Sequence, residues 1–379
     1  MKTVQLLKKK GENQNWVYIG KNQKLSKPLV LVFGNRYLLE EETIYTEIRE
    51  LFPDGHIIFG SACAEISSNT VNEESITITA IEFEKSNFLV KTCNILNAEL
   101  DSFKTGNDLV KQFPEEGLKY IFVVSEGSFI NGSQLTKGMS SFSRDNLLIT
   151  GGLCGDDERF EKTIASYNEN PKEGEIVAVG FYGESLEVSF SIYGGWTPFG
   201  PERIVTKSKN NILYGLDNLP ALVLYKNYLG EKAKDLPAAA LLYPLNVTSS
   251  DEKQSIVRSI LNIDEKENAV ILAGDIKKNS KVQLMMTNVD NIANASERAA
   301  RQALEFRRTK PQVALLVSCI GRKLVLDQRV EEEIDEVIEV LGNETLTCGF
   351  YSYGEIAPFH GETACQLHNQ TMTITLISE

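Results

Sequence analysis

Residues 348–358 read Cys-Gly-Phe-Tyr-Ser-Tyr-Gly-Glu-Ile-Ala-Pro. Tyr351 and Tyr353 stand between two glycines, and the carboxylate of Glu355 follows at once. That carboxylate could receive an ammonium group, and the tyrosines could pack over the same cation through their ring faces. Strand alternation would point Tyr351 and Tyr353 the same way. Upstream, Arg322 follows Ile320-Gly321 at the end of a predicted strand. Ligands of open α/β sheets sit off such ends, and a guanidinium there can take a carboxylate in a bidentate grip. If Arg322 and Glu355 converge, they match an amino-acid zwitterion. The plainer reading competes at each residue: Arg322 paired with an acid such as Glu331, Glu355 capping a turn, one tyrosine in the core.

Other constellations are weaker. His368, Asn369 and Thr371 form a polar cluster before the last predicted strand. His360, Cys365 and His368 offer three loosely spaced metal donors, without the paired spacing of a zinc site. Asp156 and Asp157 after Gly155 read as a turn before they read as a cation site. Cys319 could act as a nucleophile with His368 as base, but nothing in the spacing brings them together. No GxSxG, P-loop or HExxH is present, so the chain is read as non-enzymatic with no catalytic residue assigned.

The elements that must position these residues recur. Strand 28–33, helix 40–52, strand 56–59 and strand 75–83 form one unit. Strand 119–125, helix 133–142, strand 147–150 and strand 175–182 form a second. Strand 313–318, helix 329–341, a strand around 346–348 and strand 371–377 form a third. Ala64-Glu65, Gly155-Asp156 and Gly354-Glu355 then coincide, with Tyr353 where the other copies carry Cys63 and Cys154. The expected fold is α/β, two domains with mixed sheets built from repeated strand-helix-strand-strand units. Residues 1–27 read as a polar N-terminal segment with a turn at Gly11-Glu12-Asn13 and a short edge strand at 16–19. The domains are expected at 28–217 and 218–379, joined by a helical linker at 220–230.

At 379 residues with 52 acidic against 39 basic side chains, the chain carries a net charge of −13. That argues against broad nucleic-acid binding and against an electrostatic hold on anionic membranes. No run approaches a membrane span, no signal peptide is read, and six scattered cysteines suggest free thiols and a cytoplasmic setting.

Three stretches together resemble one family: GGLCGDDERFEKT at 151–163, PALVLYKNYLG at 220–230, and a tail running CIGRKLVLDQRVEEEIDEV, GFYSYGEIAPF, LHNQTMTITL. The chain resembles the FIST sensory domain family over about residues 28–377. The resemblance implies a small-ligand sensor, the ligand amino-acid-like, signalling to a separate partner such as a histidine kinase or a diguanylate cyclase. Its ligand-binding residues would be Arg322, Tyr351, Tyr353, Glu355, His368 and Asn369. Some stand-alone members resemble haem-binding nitric-oxide sensors, which makes haem an alternative. Imidazole is a common axial ligand, and the ligand is left open between His368 and His360.

Overall fold

The computed structural model describes residues 1–11, 15–142, 147–249 and 254–379. It has an α/β fold whose core is three copies of one unit. In each copy two parallel strands are joined by a helical crossover, and a third strand runs antiparallel to the first. The pairs are Leu29–Gly34 with His56–Ser61, Leu118–Ser125 with Leu148–Leu153, and Val313–Cys319 with Leu346–Ser352. Their antiparallel partners are Ser75–Glu82, Glu175–Tyr182 and Met372–Ser378. A fourth strand lies beside the third in each sheet: Lys2–Lys9, Asn87–Asn94 and Glu187–Tyr193. The central strands are buried on both faces, which explains their unbroken Val/Ile/Leu/Phe character.

The copies exchange strands in a ring. Glu65–Ser67 of the first joins the sheet of the third, beside Leu346–Ser352. Gly354–Pro358 of the third joins the second, beside Leu148–Leu153. Ala165–Tyr167 of the second joins the first, beside His56–Ser61. Backbone bonds close the junction: Cys63 N to Tyr351 O at 3.0 Å, Tyr353 N to Leu153 O at 3.1 Å, and Gly155 N to Ser61 O at 2.9 Å. The three recurring acids lie at this junction, all buried, each satisfied differently. Glu65 accepts from Ser75, Asp156 pairs with Arg36 and Arg159, and Glu355 accepts from Ser352 and Thr371.

Residues Thr197 to Met286 form a separate β-rich lobe. Its two edge strands, Ile256–Arg258 and Ile260–Asp264, are joined by Ser259 alone, so the sheet curls nearly closed on itself. The helix Ala221–Leu229 buries Leu222, Tyr225 and Leu229 in this lobe's own apolar core. The expected helical linker is therefore an integral part of the lobe. The helix Val289–Leu304, capped by the Asn288 side chain on Asn291 N at 2.8 Å, returns the chain to the core. It packs Ala299, Ala300 and Ala303 against the third unit.

Other local expectations are corrected. Helix 40–52 is shorter, Ile44–Leu51, and a separate turn of helix, Arg36–Leu39, precedes it. The first nine residues are not merely polar: Val4 and Leu6 alternate inward, making Lys2–Lys9 a full sheet member. The edge strand appears at Val17–Ile19, and the turn read at Gly11-Glu12-Asn13 runs outside the described residues. Helix Ser102–Lys111 was not anticipated. It crosses Gly132–Ser141 closely, because Gly106 and Gly138 let the backbones touch.

Candidate functional site

The glycine-tyrosine stretch divides between two strands. Leu346–Ser352 runs parallel to Val313–Cys319, where a Cβ on Gly349 would meet Leu316 O at 1.7 Å. Phe350 turns into the central core and stacks on Phe33 at 4.4 Å. Tyr353 falls between that strand and Gly354–Pro358, so the alternation is broken there. Tyr351 reaches the helix Glu332–Leu341 and donates to Glu333, whereas Tyr353 donates to Asp157 O at 2.9 Å and stacks on Phe160 at 4.4 Å. The two tyrosines do not share a face over one cation. Burial raises both phenols, that of Tyr353 also beside Cys63 and Asp156.

Arg322 is not at a strand exit. The chain turns helical at Ile320, and Arg322 lies fully buried on the helix Ile320–Leu326. Its Nε donates to Glu333 at 3.0 Å, its Nη1 to Gly194 O at 2.6 Å, and its Nη2 to Glu333, Ser296 and Ile292 O at 2.7, 2.6 and 3.1 Å. Every nitrogen of the guanidinium is engaged, and the partner acid is Glu333, two residues beyond the anticipated Glu331. Arg322 and Tyr351, both expected to line a ligand site, thus belong to a closed internal network around Glu333.

Glu355 is equally enclosed. Ser352 Oγ donates to it at 2.7 Å and Thr371 Oγ1 at 2.7 Å, yet burial raises its pKa to about 7. His368 is buried with Nε2 3.0 Å from Ala357 O and its ring edge-on to Phe359. Burial lowers its pKa to about 3, so the imidazole is neutral. A ring sealed in this way does not fit an axial haem ligand, and the two donors expected to compete are far from equivalent. His360 is exposed on the loop after Pro358, at the rim of an open groove. Cys319 is buried, which raises its thiol further with Glu355 nearby, and His368 is committed elsewhere. The described residues contain no cluster of three or more His, Cys, Asp or Glu able to hold a metal.

Asn369 differs from its neighbours. It is fully buried, and neither amide atom has a partner, nor does Oε1 of adjacent Gln370. Gln370 Nε2 instead crosses to the β-rich lobe, donating to Leu241 O and Ser259 Oγ, each at 2.9 Å. Unsatisfied buried amides are rare and call for a water or ligand.

The strand that leads into these amides, Cys365–His368, forms one wall of a real cleft. About 330 Å³ lies between the core and the β-rich lobe, lined by Thr136, Lys137 and Ser140 of one helix, Cys365 and Leu367, and Ser249, Arg258, Asp275 and Lys277 of the lobe. Arg258 donates to Leu367 O at 2.8 Å. Asp275 accepts from Asn131 at 2.9 Å and Gln134 at 2.5 Å, with Lys137 Nζ 3.6 Å away. Sequence reading missed Arg258, Asp275, Lys137 and Lys277. No periodicity joins residue 137 to residue 275.

No helix among the described residues is long and apolar enough to cross a membrane. An uncharacterized protein of Methanocaldococcus jannaschii, MJ1623, is 25% identical over 240 residues, covering 55% of this chain and 44% of that one. The chain thus spans less than half of that relative. The FIST N domain model matches residues 28–219 and the FIST C domain model residues 221–358. FIST domains are associated with sensory signal transduction. Leu346–Ser352 and Gly354–Pro358 pair with strands from before residue 219, so the two matched segments interlock in space. With both models matched over most of its length, the chain belongs to the FIST family.

Proposed function

We propose that this protein is a small-ligand sensor whose ligand, amino-acid-like in charge, sits in the cleft between the repeated core and the β-rich lobe. The observation that carries this reading is the lining of that cleft. Asp275 stands opposite basic side chains in about 330 Å³, the scale of a small polar ligand. A ligand ammonium would displace Lys137 from Asp275, and a ligand carboxylate would meet Arg258 or Lys277. Both lobes contribute, so binding would favour one relative placement of them, as a sensor requires. A separate signalling protein such as a histidine kinase or a diguanylate cyclase would read that placement.

Calorimetry with a panel of amino acids tests the reading. The expected result is heat for at least one member, weakened tenfold or more in Asp275→Asn. No heat for any member, with melting temperatures unshifted across the panel, would overturn it.

A further inference from the structure

Phe306 is 90% exposed, the most exposed of the large apolar side chains. Its backbone is also left-handed, with φ of +62°. Bulky residues avoid that region, where glycine or asparagine is the usual occupant. A phenyl ring held in water on a strained backbone, just past the helix Val289–Leu304, costs the fold on both counts. Such costs collect at binding surfaces.

The ring flanks a groove of about 340 Å³ whose apolar lining is Leu147, Leu148, Val188, Phe190 and Pro358. The charged side chains lining it among the described residues are acidic, Glu305 and Glu362, and neither has an ion-pair partner among them. The whole chain is acidic as well, at −13.

One segment ties this groove to the ligand cleft. Pro358, His360 and Glu362 line the groove, and Ala364 to Leu367 line the cleft. Displacement of the strand Cys365–His368 in the cleft would be felt within a few residues at the groove rim.

We propose that this groove is the docking site for a partner protein, which inserts an apolar side chain beside Phe306 from a helical segment flanked by lysine or arginine. An exposed aromatic anchor in an apolar groove with a charged rim is the usual form of such a site. The acidic rim selects a basic segment and speeds its encounter. The inference rests on the sensor reading for the meaning of the signal, but not for the groove itself.

The test uses the full chain and three labelled synthetic peptides, read by fluorescence anisotropy. One is an amphipathic helix with a leucine stripe and a lysine-rich back. The second has the same charge with its leucines scattered, and the third the same stripe with a glutamate-rich back. The first peptide alone is expected to bind in the micromolar range, tenfold or more weaker with Phe306→Ser and with Glu305→Lys/Glu362→Lys. Calorimetry of the amino-acid panel on Phe306→Ser should match wild type, so failure of the groove is distinguishable from failure of the ligand site. Equal binding of the striped and scattered basic peptides, or binding unchanged in both variants, overturns the proposal. So does a wild-type dimer in sedimentation that Phe306→Ser abolishes, since the occupant is then a second copy.

Discussion

Substituting Glu333 by alanine should destabilise the protein more than any other single change near the glycine-tyrosine stretch. The carboxylate is fully buried and serves five donors: Arg322 Nε and Nη2, Ser296 at 3.4 Å, Ser318 at 3.1 Å, and Tyr351. Its removal leaves a buried guanidinium without its counter-charge, and breaking such a pair typically costs about 3–5 kcal/mol. Hydrogen bonds to the neutral hydroxyls add to that cost, because each orphaned buried hydroxyl loses about 1–3 kcal/mol of solvation. The bonds to Gly194 O and Ile292 O keep part of the guanidinium satisfied, which holds each contribution near the low end, so a loss of at least about 4 kcal/mol is expected. Urea denaturation followed by tryptophan fluorescence measures it. The paired change Arg322→Met/Glu333→Leu removes both charges and should cost clearly less than Glu333→Ala alone. A loss below about 1 kcal/mol for Glu333→Ala would refute the reasoning, since that is the scale of an exposed pair. A ligand clamp would behave differently: Arg322 variants would lose ligand while the melting curve stayed put.

Three further predictions follow from buried polar groups and close glycines. Glu355, raised from 4.5 to about 7, binds its proton more tightly folded than unfolded, so its contribution falls by roughly 3 kcal/mol as pH rises from 4.5 to 7. His368, lowered from 6.5 to about 3, acts oppositely, contributing stability above 6.5 that is lost as pH falls toward 3. The two nearly cancel between pH 4.5 and 6.5, so Glu355→Gln should steepen acid destabilisation there, and an unchanged slope in urea titrations would count against these shifts. Gly138→Ala should lower stability by about 1–3 kcal/mol, because its Cβ would lie 2.0 Å from Phe103 O, and a melting curve like wild type would show that the helices part freely. Asn369→Leu should be neutral or stabilising by about 1 kcal/mol in urea titration, since both amide atoms lack partners, whereas a loss above about 2 kcal/mol would mean that the amide is satisfied.

How much of this was legible depended on whether the signal was local. The three repeats were readable because each carries a buried parallel pair, an apolar helix face and a small-residue ending with an acid. The family motifs were readable for the same reason. The roles of Arg322 and Glu355 were not. Position at a strand end suggests a ligand, but Arg322 enters a helix whose partner Glu333 lies eleven residues on, in the next helix. Burial decides that role, and burial depends on Ser296 and Gly194, which no local pattern connects. The cleft was invisible for a stronger reason. Its opposing charges come from residues 137 and 258–277, brought together where the β-rich lobe docks with Asp275 on one helix and Arg258 on one carbonyl. Lys2–Lys9 was hidden differently, since the lysines at its two ends masked the apolar Val4 and Leu6 between them.

The strand Cys365–His368 is where these parts meet, and its position limits what a ligand can do. On one side Leu367 O accepts from Arg258 of the β-rich lobe, and next in sequence stand the unsatisfied amide of Asn369 and the unpaired Oε1 of Gln370. Gln370 grips the same lobe through Leu241 and Ser259. The lobe is held to the core by these polar contacts, each contributing on the order of 1 kcal/mol net, or 1.5–3 where charged, and by Phe359, which packs against its apolar cluster. Moving a two-state equilibrium from 1:99 to 99:1 needs about 5.5 kcal/mol of differential affinity. The proposed ligand, in taking over Asp275 and Arg258, would act on contacts of that combined size, and a switch of the lobe would need its affinity for the two placements to differ by that amount. The network around Arg322 lies outside that cleft, and opening it would strand a buried charge at a cost of about 3–5 kcal/mol with no ligand contact to offset it.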